Sequence, residues 1–238
     1  MSVDVKMSTK PGVVAMRVAV NRRPAADPDR PPRERLLSAA EHLFGERSYW
    51  RTTVAEICAM AGMATGSFYA HFGSKADIFA AVIRRINSDL RAALRAALAN
   101  AEQNQRARER ACFRAYFDLT SERPWIYRIV REAEFVAPAE FRAYYERLAN
   151  GYAAGAAVAQ ADGDIDARFD PEVIGYLYTG LGNFIGMRWA EWTGGGRVPD
   201  EVLDDLLHVL EWGLPPRGAE ADGVAGDRRL AGGPRPAP

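Results

Sequence analysis

Nowhere does this sequence approach the roughly 20 uninterrupted apolar residues that a helix needs to span a bilayer. Its N-terminus carries scattered Lys and Arg but no apolar block followed by a cleavage site. Neither a membrane protein nor an exported one is therefore expected, and the cytoplasm is the expected compartment. Cysteine is scarce: Cys58 and Cys112 are the only two, both in helical patterns and without metal-ligand spacing. They read as reduced, core-filling thiols, so no metal or other cofactor is expected. An excess of one charge is also missing, since 31 Lys and Arg balance 31 Asp and Glu. Nucleic-acid binders are often basic because they neutralise phosphates, so composition alone decides nothing about such a partner. Catalytic signatures are absent as well. There is no G-x-S-x-G elbow or H-E-x-x-H pair, and His42, His71 and His208 lie far apart. Gly73-Ser74-Lys75 faintly resembles a phosphate loop, but its upstream glycine is misplaced and no strand precedes it. The chain is not expected to be an enzyme; an enzyme, or a helical small-molecule or lipid-binding protein, without a DNA role is the alternative.

What is present is helical period. Hydrophobic residues make up 48% of the 238 and charged residues 26%, the balance of a soluble globular chain with a real core. Strand-like alternation is rare, while apolar residues recur at i, i+3, i+4 and i+7. A first helix follows Pro32, with Leu36, Leu37, Ala40, Leu43 and Phe44 on one stripe. Shorter helices are expected from Thr53 to about Ala61 and from about Thr65 to Phe72. A long one runs from Ala76 to about Leu98. Five more follow, over about 105–121, from Pro124, over 139–161, from Asp170-Pro171 to Trp192, and over 199–212. Residues 1–31 read as a flexible basic arm and 215–238, rich in Gly, Pro and Ala, as a disordered tail, because neither offers apolar surface to offset ordering.

Local chemistry between residues 53 and 77 is specific. Thr53 with Glu56 forms a capping box, in which each side chain satisfies an amide at the helix start. Gly62 falls where the helix must stop, at a position that favours the left-handed conformation. Ser74 with Asp77 repeats the capping pattern before the long helix. Two short helices joined by a tight glycine turn have the dimensions of a helix-turn-helix.

The run Thr52-Thr53-Val54-Ala55-Glu56-Ile57-Cys58-Ala59-Met60-Ala61-Gly62-Met63-Ala64-Thr65-Gly66-Ser67-Phe68-Tyr69-Ala70-His71-Phe72-Gly73-Ser74-Lys75 resembles the DNA-binding domain of the TetR family of bacterial regulators, and the Leu36–Phe44 helix fits that family's first helix. The resemblance implies an all-α fold with an N-terminal three-helix DNA-binding domain (32–75) and a C-terminal helical ligand-binding and dimerisation domain (76–214). It implies that 65–71 form the recognition helix. Thr65, Gly66 and Ser67 then stand at base edges or nearby phosphates, Tyr69 at a phosphate or thymine methyl, and His71 and Lys75 at phosphates. Thr53 presents its hydroxyl and amide to the DNA backbone, while Phe68 and Phe72 face the domain core. The sequence departs from the family pattern at Ala64, where an N-cap Ser or Thr is usual, a change that weakens a helix start by roughly 0.5–2 kcal/mol. Ala55 and Ala70 are also short for DNA contact.

The C-terminal half concentrates aromatic residues, which can line an apolar pocket with Tyr hydroxyls as polar handles. Phe113, Tyr116, Phe117, Trp125, Phe135, Tyr145, Tyr178 and Trp189 are the pocket candidates for a small apolar or amphipathic effector. Arg188 beside Trp189 is the candidate for an anionic group such as a carboxylate or acyl thioester. Gly175, Thr179, Gly182 and Gly186 form a stripe of small residues that lets another helix approach. With Leu203, Leu206, Leu207 and Leu210 they are the expected homodimer interface, intrachain packing being the other use of that stripe. The resemblance makes the chain a ligand-responsive repressor of a double-stranded DNA operator, with no membrane partner.

Overall fold

The computed structural model describes residues 29–102 and 104–212. The expected arm (all but 29–31) and the expected tail at 215–238 lie outside the described residues. Among the described residues regular structure is entirely helical: α1 (Pro32–Arg47), α2 (Val54–Met60), α3 (Thr65–Phe68), α4 (Lys75–Ala99), α5 (Gln105–Glu122), α6 (Trp125–Val136), α7 (Pro138–Asp162), α8 (Pro171–Met187), a π-helical turn (Arg188–Trp192) and α9 (Asp200–Trp212).

Helix starts follow the residues that favour them. Pro32, Pro138 and Pro171 open α1, α7 and α8, where a missing N–H is harmless. Ser74, Asn104 and Asp170 accept backbone N–H bonds from Asp77 (3.1 Å), Ala107 (2.8 Å) and Glu172 (2.8 Å). α7 stops at Gly163, whose φ of +85° suits only glycine well.

The first three helices close around Leu36, Phe44, Ile57 and Phe68, all buried. The N-terminal part of α4 completes this core, with Phe79 edge-on to Phe44 at 5.1 Å. Farther along, Ile86 and Leu90 of the same helix are buried in the larger bundle of α5–α9. A single helix therefore joins the two packings into one continuous core.

Between α1 and the larger bundle lies a buried ionic cluster. Glu41 of α1 receives hydrogen bonds from Arg85 of α4, Arg123 after α5 and the Trp125 indole at 3.2 Å. Burial alone would raise the Glu41 carboxyl, but the two guanidinium groups outweigh it and hold it below the usual range. α6 adds three further ties to the end of α1. Arg128 donates to the carbonyls of Gly45 (2.9 Å) and Glu46 (3.1 Å), Glu132 accepts from the Tyr49 amide at 2.7 Å, and the Trp125 ring fills the space a Gly45 side chain would need.

The glycine stripe of α8 faces inward, contrary to the expected dimer interface. A Cβ at Gly175 would collide with the Ala149 carbonyl of α7, and one at Gly186 with the Tyr127 hydroxyl. Gly182 packs on Phe113, and Thr179 donates to the Gly175 carbonyl at 2.8 Å. Leu203, Leu206 and Leu207 of α9 are buried in the same chain and Leu210 is partly buried against that core. Gly175 allows close packing of α7 on α8, and Gly182 and Gly186 allow that of α5 and α6. The exposed face of α8 is the opposite one, where Val173, Tyr176, Leu177 and Phe184 stand in solvent around Gly180.

Candidate nucleic-acid interface

α2 and α3 form the motif, and each joint in it has an identifiable cause. Thr53 caps α2: its hydroxyl accepts the Glu56 amide at 3.2 Å, while Glu56 Oε2 accepts the Thr53 amide and hydroxyl at 2.8 Å each. Those bonds draw the Glu56 carboxyl below its usual range. Gly62 turns the chain with φ +66°, and the Met63 amide reaches back to the Cys58 carbonyl at 2.9 Å. Arg35 of α1 clamps the turn from below, donating to the carbonyls of Ala61 (2.6 Å) and Gly62 (3.0 Å). Phe68 and Phe72 are buried beneath α3, 5.8 Å apart.

That scaffold leaves Thr65, Gly66, Ser67, Tyr69 and His71 together on an exposed apex. Tyr69 is 62% exposed, and a Cβ at Gly66 would meet no other atom of the chain within 4 Å. Close approach to a flat partner is therefore open at that point. The regular helix is shorter than the expected 65–71. It ends at Phe68 and passes into a turn in which the His71 and Phe72 amides both donate to the Phe68 carbonyl, at 2.9 and 3.0 Å. Ala64 supplies no side-chain cap at its start, and Gly66 adds no helix propensity inside it.

Two expected contact residues are engaged internally. The Lys75 ammonium donates to the carbonyls of Tyr49 (3.0 Å) and Thr52 (2.9 Å) and lies over the Tyr49 ring at 4.2 Å. It closes the α1–α2 connection instead of reaching outward. Both donors of Thr53 are taken by Glu56, so its contribution is a fixed helix start. The sequence reading missed Arg51, which is exposed in the connection leading to Thr53 and has no hydrogen-bond or ion-pair partner among the described residues. A loop residue outside any period carries no sequence signal that would single it out.

The ligand candidates divide. Phe113, Tyr116 and Phe117 are buried core, and the Tyr116 hydroxyl donates to Asn183 at 3.4 Å. Burial pushes the neighbouring Tyr127 phenol up to about 12. Tyr178 is buried with its hydroxyl on Glu109 at 2.5 Å. Tyr145 is partly buried against the core, edge-on to Phe141 and Tyr144. The remainder are elsewhere. Trp125 anchors α1, Phe135 is 78% exposed beside Trp50 in an outer groove, and Arg188 is exposed over the half-buried Trp189 ring at 5.4 Å. Cys58 and Cys112 are free and buried. Among the described residues there is no cluster of three or more His, Cys, Asp or Glu placed to hold a metal, and no helix is long and apolar enough to cross a membrane.

Comparison with known proteins supplies independent findings. Residues 36–82 match the family model for bacterial regulatory proteins of the tetR family. Over 53 residues the chain is 45% identical to the HTH-type transcriptional repressor BepR of Brucella suis, a match covering 22% of this chain and 25% of that protein. The chain thus matches only about a quarter of that curated relative's length. The whole fold is similar to the transcriptional regulator FadR from Bacillus subtilis, solved in complex with stearoyl-CoA (TM-score 0.68, 14% identity, 76% of this chain and 99% of that one). It is also similar to Thermus thermophilus FadR, a repressor solved with lauroyl-CoA (TM-score 0.58, 26% identity, 81% and 100%).

Proposed function

Residues 36–82 match the family model for bacterial regulatory proteins of the tetR family, and we propose that the chain is a member of that family: a cytoplasmic transcriptional repressor that binds operator DNA as a homodimer and is released by a small apolar or amphipathic effector. The observation that carries this reading is the exposed apex of Thr65, Gly66, Ser67, Tyr69 and His71, held on buried Phe68 and Phe72 within the stretch that matches the family model. Small side chains and a glycine let a helix start sit deep in the major groove, while hydroxyl and aromatic groups meet phosphates and thymine methyls. In this reading 32–75 work on DNA and 76–214 carry the effector and dimer functions.

Two recognition elements in successive grooves require a dimer. The outer face of α8, with Tyr176, Leu177 and Phe184 exposed, and Trp212 at the end of α9, 51% exposed, supports pairing there. Exposed apolar surface of this kind marks an interaction site. The effector acts by binding more tightly to a bundle arrangement that misplaces the two DNA-binding units. Glu41, with its partners on α4, on α6 and in the connection after α5, gives the bundle a rigid grip on α1 through which such a change passes. The acyl-CoA ligands of the similar FadR proteins support an effector with an aliphatic part.

Fluorescence anisotropy with labelled DNA flanking the protein's own gene tests the reading. Saturable binding that resists unrelated competitor DNA is the expected result. Equal competition by any DNA, or none bound, sinks it and favours a helical carrier or an enzyme.

A further inference from the structure

One cleft is used by nothing described so far. It opens between the last turns of α4, the start of α5, the middle of α7 and the inner side of α8. Two adjoining compartments, of about 560 and 490 Å³, share Arg95, Leu98, Cys112, Gly151 and Tyr152. Of the residues singled out from the sequence as ligand candidates, only Tyr178 lines it.

Its floor is apolar. Tyr152 stacks on Phe113 at 6.1 Å and lies 5.8 Å from Tyr178. Burial, with Glu109 nearby, pushes the Cys112 thiol to about 11, so it stays neutral. The one carboxylate in the lining, Glu109, is occupied by the Tyr178 hydroxyl at 2.5 Å and the Gln105 amide at 2.8 Å. Above this floor α7 presents Gly151 and Gly155, one turn apart. A Cβ at either would meet nothing within 4 Å. Glycine weakens a helix interior, and at Gly175 and Gly186 close packing of neighbouring helices explains it. At Gly151 and Gly155 no neighbour does; what those glycines leave is room.

The rim has one sign of charge. Arg91, Arg95, Arg108 and Arg147 line the two compartments, and Arg91, Arg95 and Arg147 are exposed with no ion-pair or hydrogen-bond partner among the described residues. Elsewhere the fold pairs its arginines readily: Arg84 with Glu140, Arg114 with Asp200, Arg131 with Glu191. In a chain of zero net charge, three unpaired guanidinium groups around an apolar cleft form a local anion-attracting field.

We propose that this cleft binds an amphipathic anion, with its aliphatic chain over Tyr152 and Cys112 in the space above Gly151 and Gly155, and its phosphate-bearing head on Arg91, Arg95 and Arg147. Guanidinium forks match phosphate oxygens in pairs, and three of them suit a head with more than a single carboxylate charge. The inference rests on the ligand-responsive reading and gives the effector a site and a chemical class. An acyl thioester of a phosphate-bearing carrier and a single-chain phospholipid share this chemistry.

Isothermal titration of the full-length protein separates the possibilities, using lauroyl-CoA, free coenzyme A, laurate and a lysophosphatidic acid of the same chain length. The expected result is that lauroyl-CoA or the lysophosphatidic acid binds at least roughly tenfold more tightly than laurate or coenzyme A, because chain and head act together; whichever of the two binds identifies the source. Replacing all three arginines (Arg91→Gln, Arg95→Gln, Arg147→Gln) weakens that ligand by roughly tenfold or more, while Arg142→Gln, also on the exposed surface of α7, changes nothing. Gly155→Leu fills the cleft and abolishes binding with no fall in melting temperature. Binding of neither amphiphile, or unaltered affinity in the triple and Gly155→Leu variants, overturns the proposal. The DNA anisotropy measurement on the same preparation keeps the two readings apart: intact DNA binding without ligand binding removes only the cleft, and the reverse removes only the operator.

Discussion

Arg123 Nη2 lies 2.5 Å from Glu41 Oε1, joining the connection between α5 and α6 to the middle of α1 across a buried contact. The same arginine holds Asp89 of α4 at 2.8 Å, and the other Glu41 oxygen is held by Arg85. One carboxylate therefore fixes how α1 sits on the bundle.

Removing that charge leaves two guanidinium groups without their partner. Glu41→Gln is expected to destabilise the fold by about 3 kcal/mol, the range for breaking one side of a buried pair. Because the folded Glu41 carboxyl is held below its ordinary value of 4.5, its contribution is present above that pH and is lost as pH falls through the lowered folded value. Thermal melts of wild type and variant across acidic pH check this. The gap between them is widest near neutrality and closes on acidification; a gap independent of pH would contradict it.

Lys75 separates a structural role from a phosphate contact. With its ammonium on the Tyr49 and Thr52 carbonyls, Lys75→Met is expected to lower the melting temperature and leave the salt slope of DNA binding unchanged. A phosphate-contacting lysine would instead reduce that slope by about one. Tyr69→Ala, at the exposed apex, is expected to do the opposite: weaken DNA binding without loss of stability.

The uncapped start of α3 invites a gain. Ala64 has extended backbone angles, φ −70° and ψ 146°, and no side-chain cap. Ala64→Ser supplies an acceptor there and is expected to add about 0.5–1 kcal/mol, read as a rise in the denaturation midpoint.

The two faces of α8 respond differently. Gly186→Ala forces a methyl onto the Tyr127 hydroxyl and is expected to destabilise the monomer fold by about 1–3 kcal/mol. Leu177→Glu with Phe184→Glu, on the exposed face, is expected to leave the fold intact, convert dimer to monomer in light scattering and weaken DNA binding. A dimer that survives those two charges would rule out this face.

Much of the architecture follows from local chemistry, and so was legible in the chain. The period of apolar residues marks the helices to within a few positions, and Thr53 with Glu56, Gly62, and Ser74 with Asp77 act through neighbours in sequence, so the motif is written where it stands. Tertiary structure alone decided what each face meets. The Gly175–Gly186 stripe says that some helix approaches closely, but only packing shows that it is α7, α5 and α6 of the same chain. Lys75 turns inward because the Tyr49 and Thr52 carbonyls from a distant loop lie within its reach. Arg91, Arg95 and Arg147 carry no local pattern, and they meet at one rim because α4 and α7 run side by side. The helix-turn-helix was settled by interactions three or four residues long; the buried Glu41 junction and the arginine-rimmed cleft depend on contacts between residues far apart in the chain, which no local pattern records.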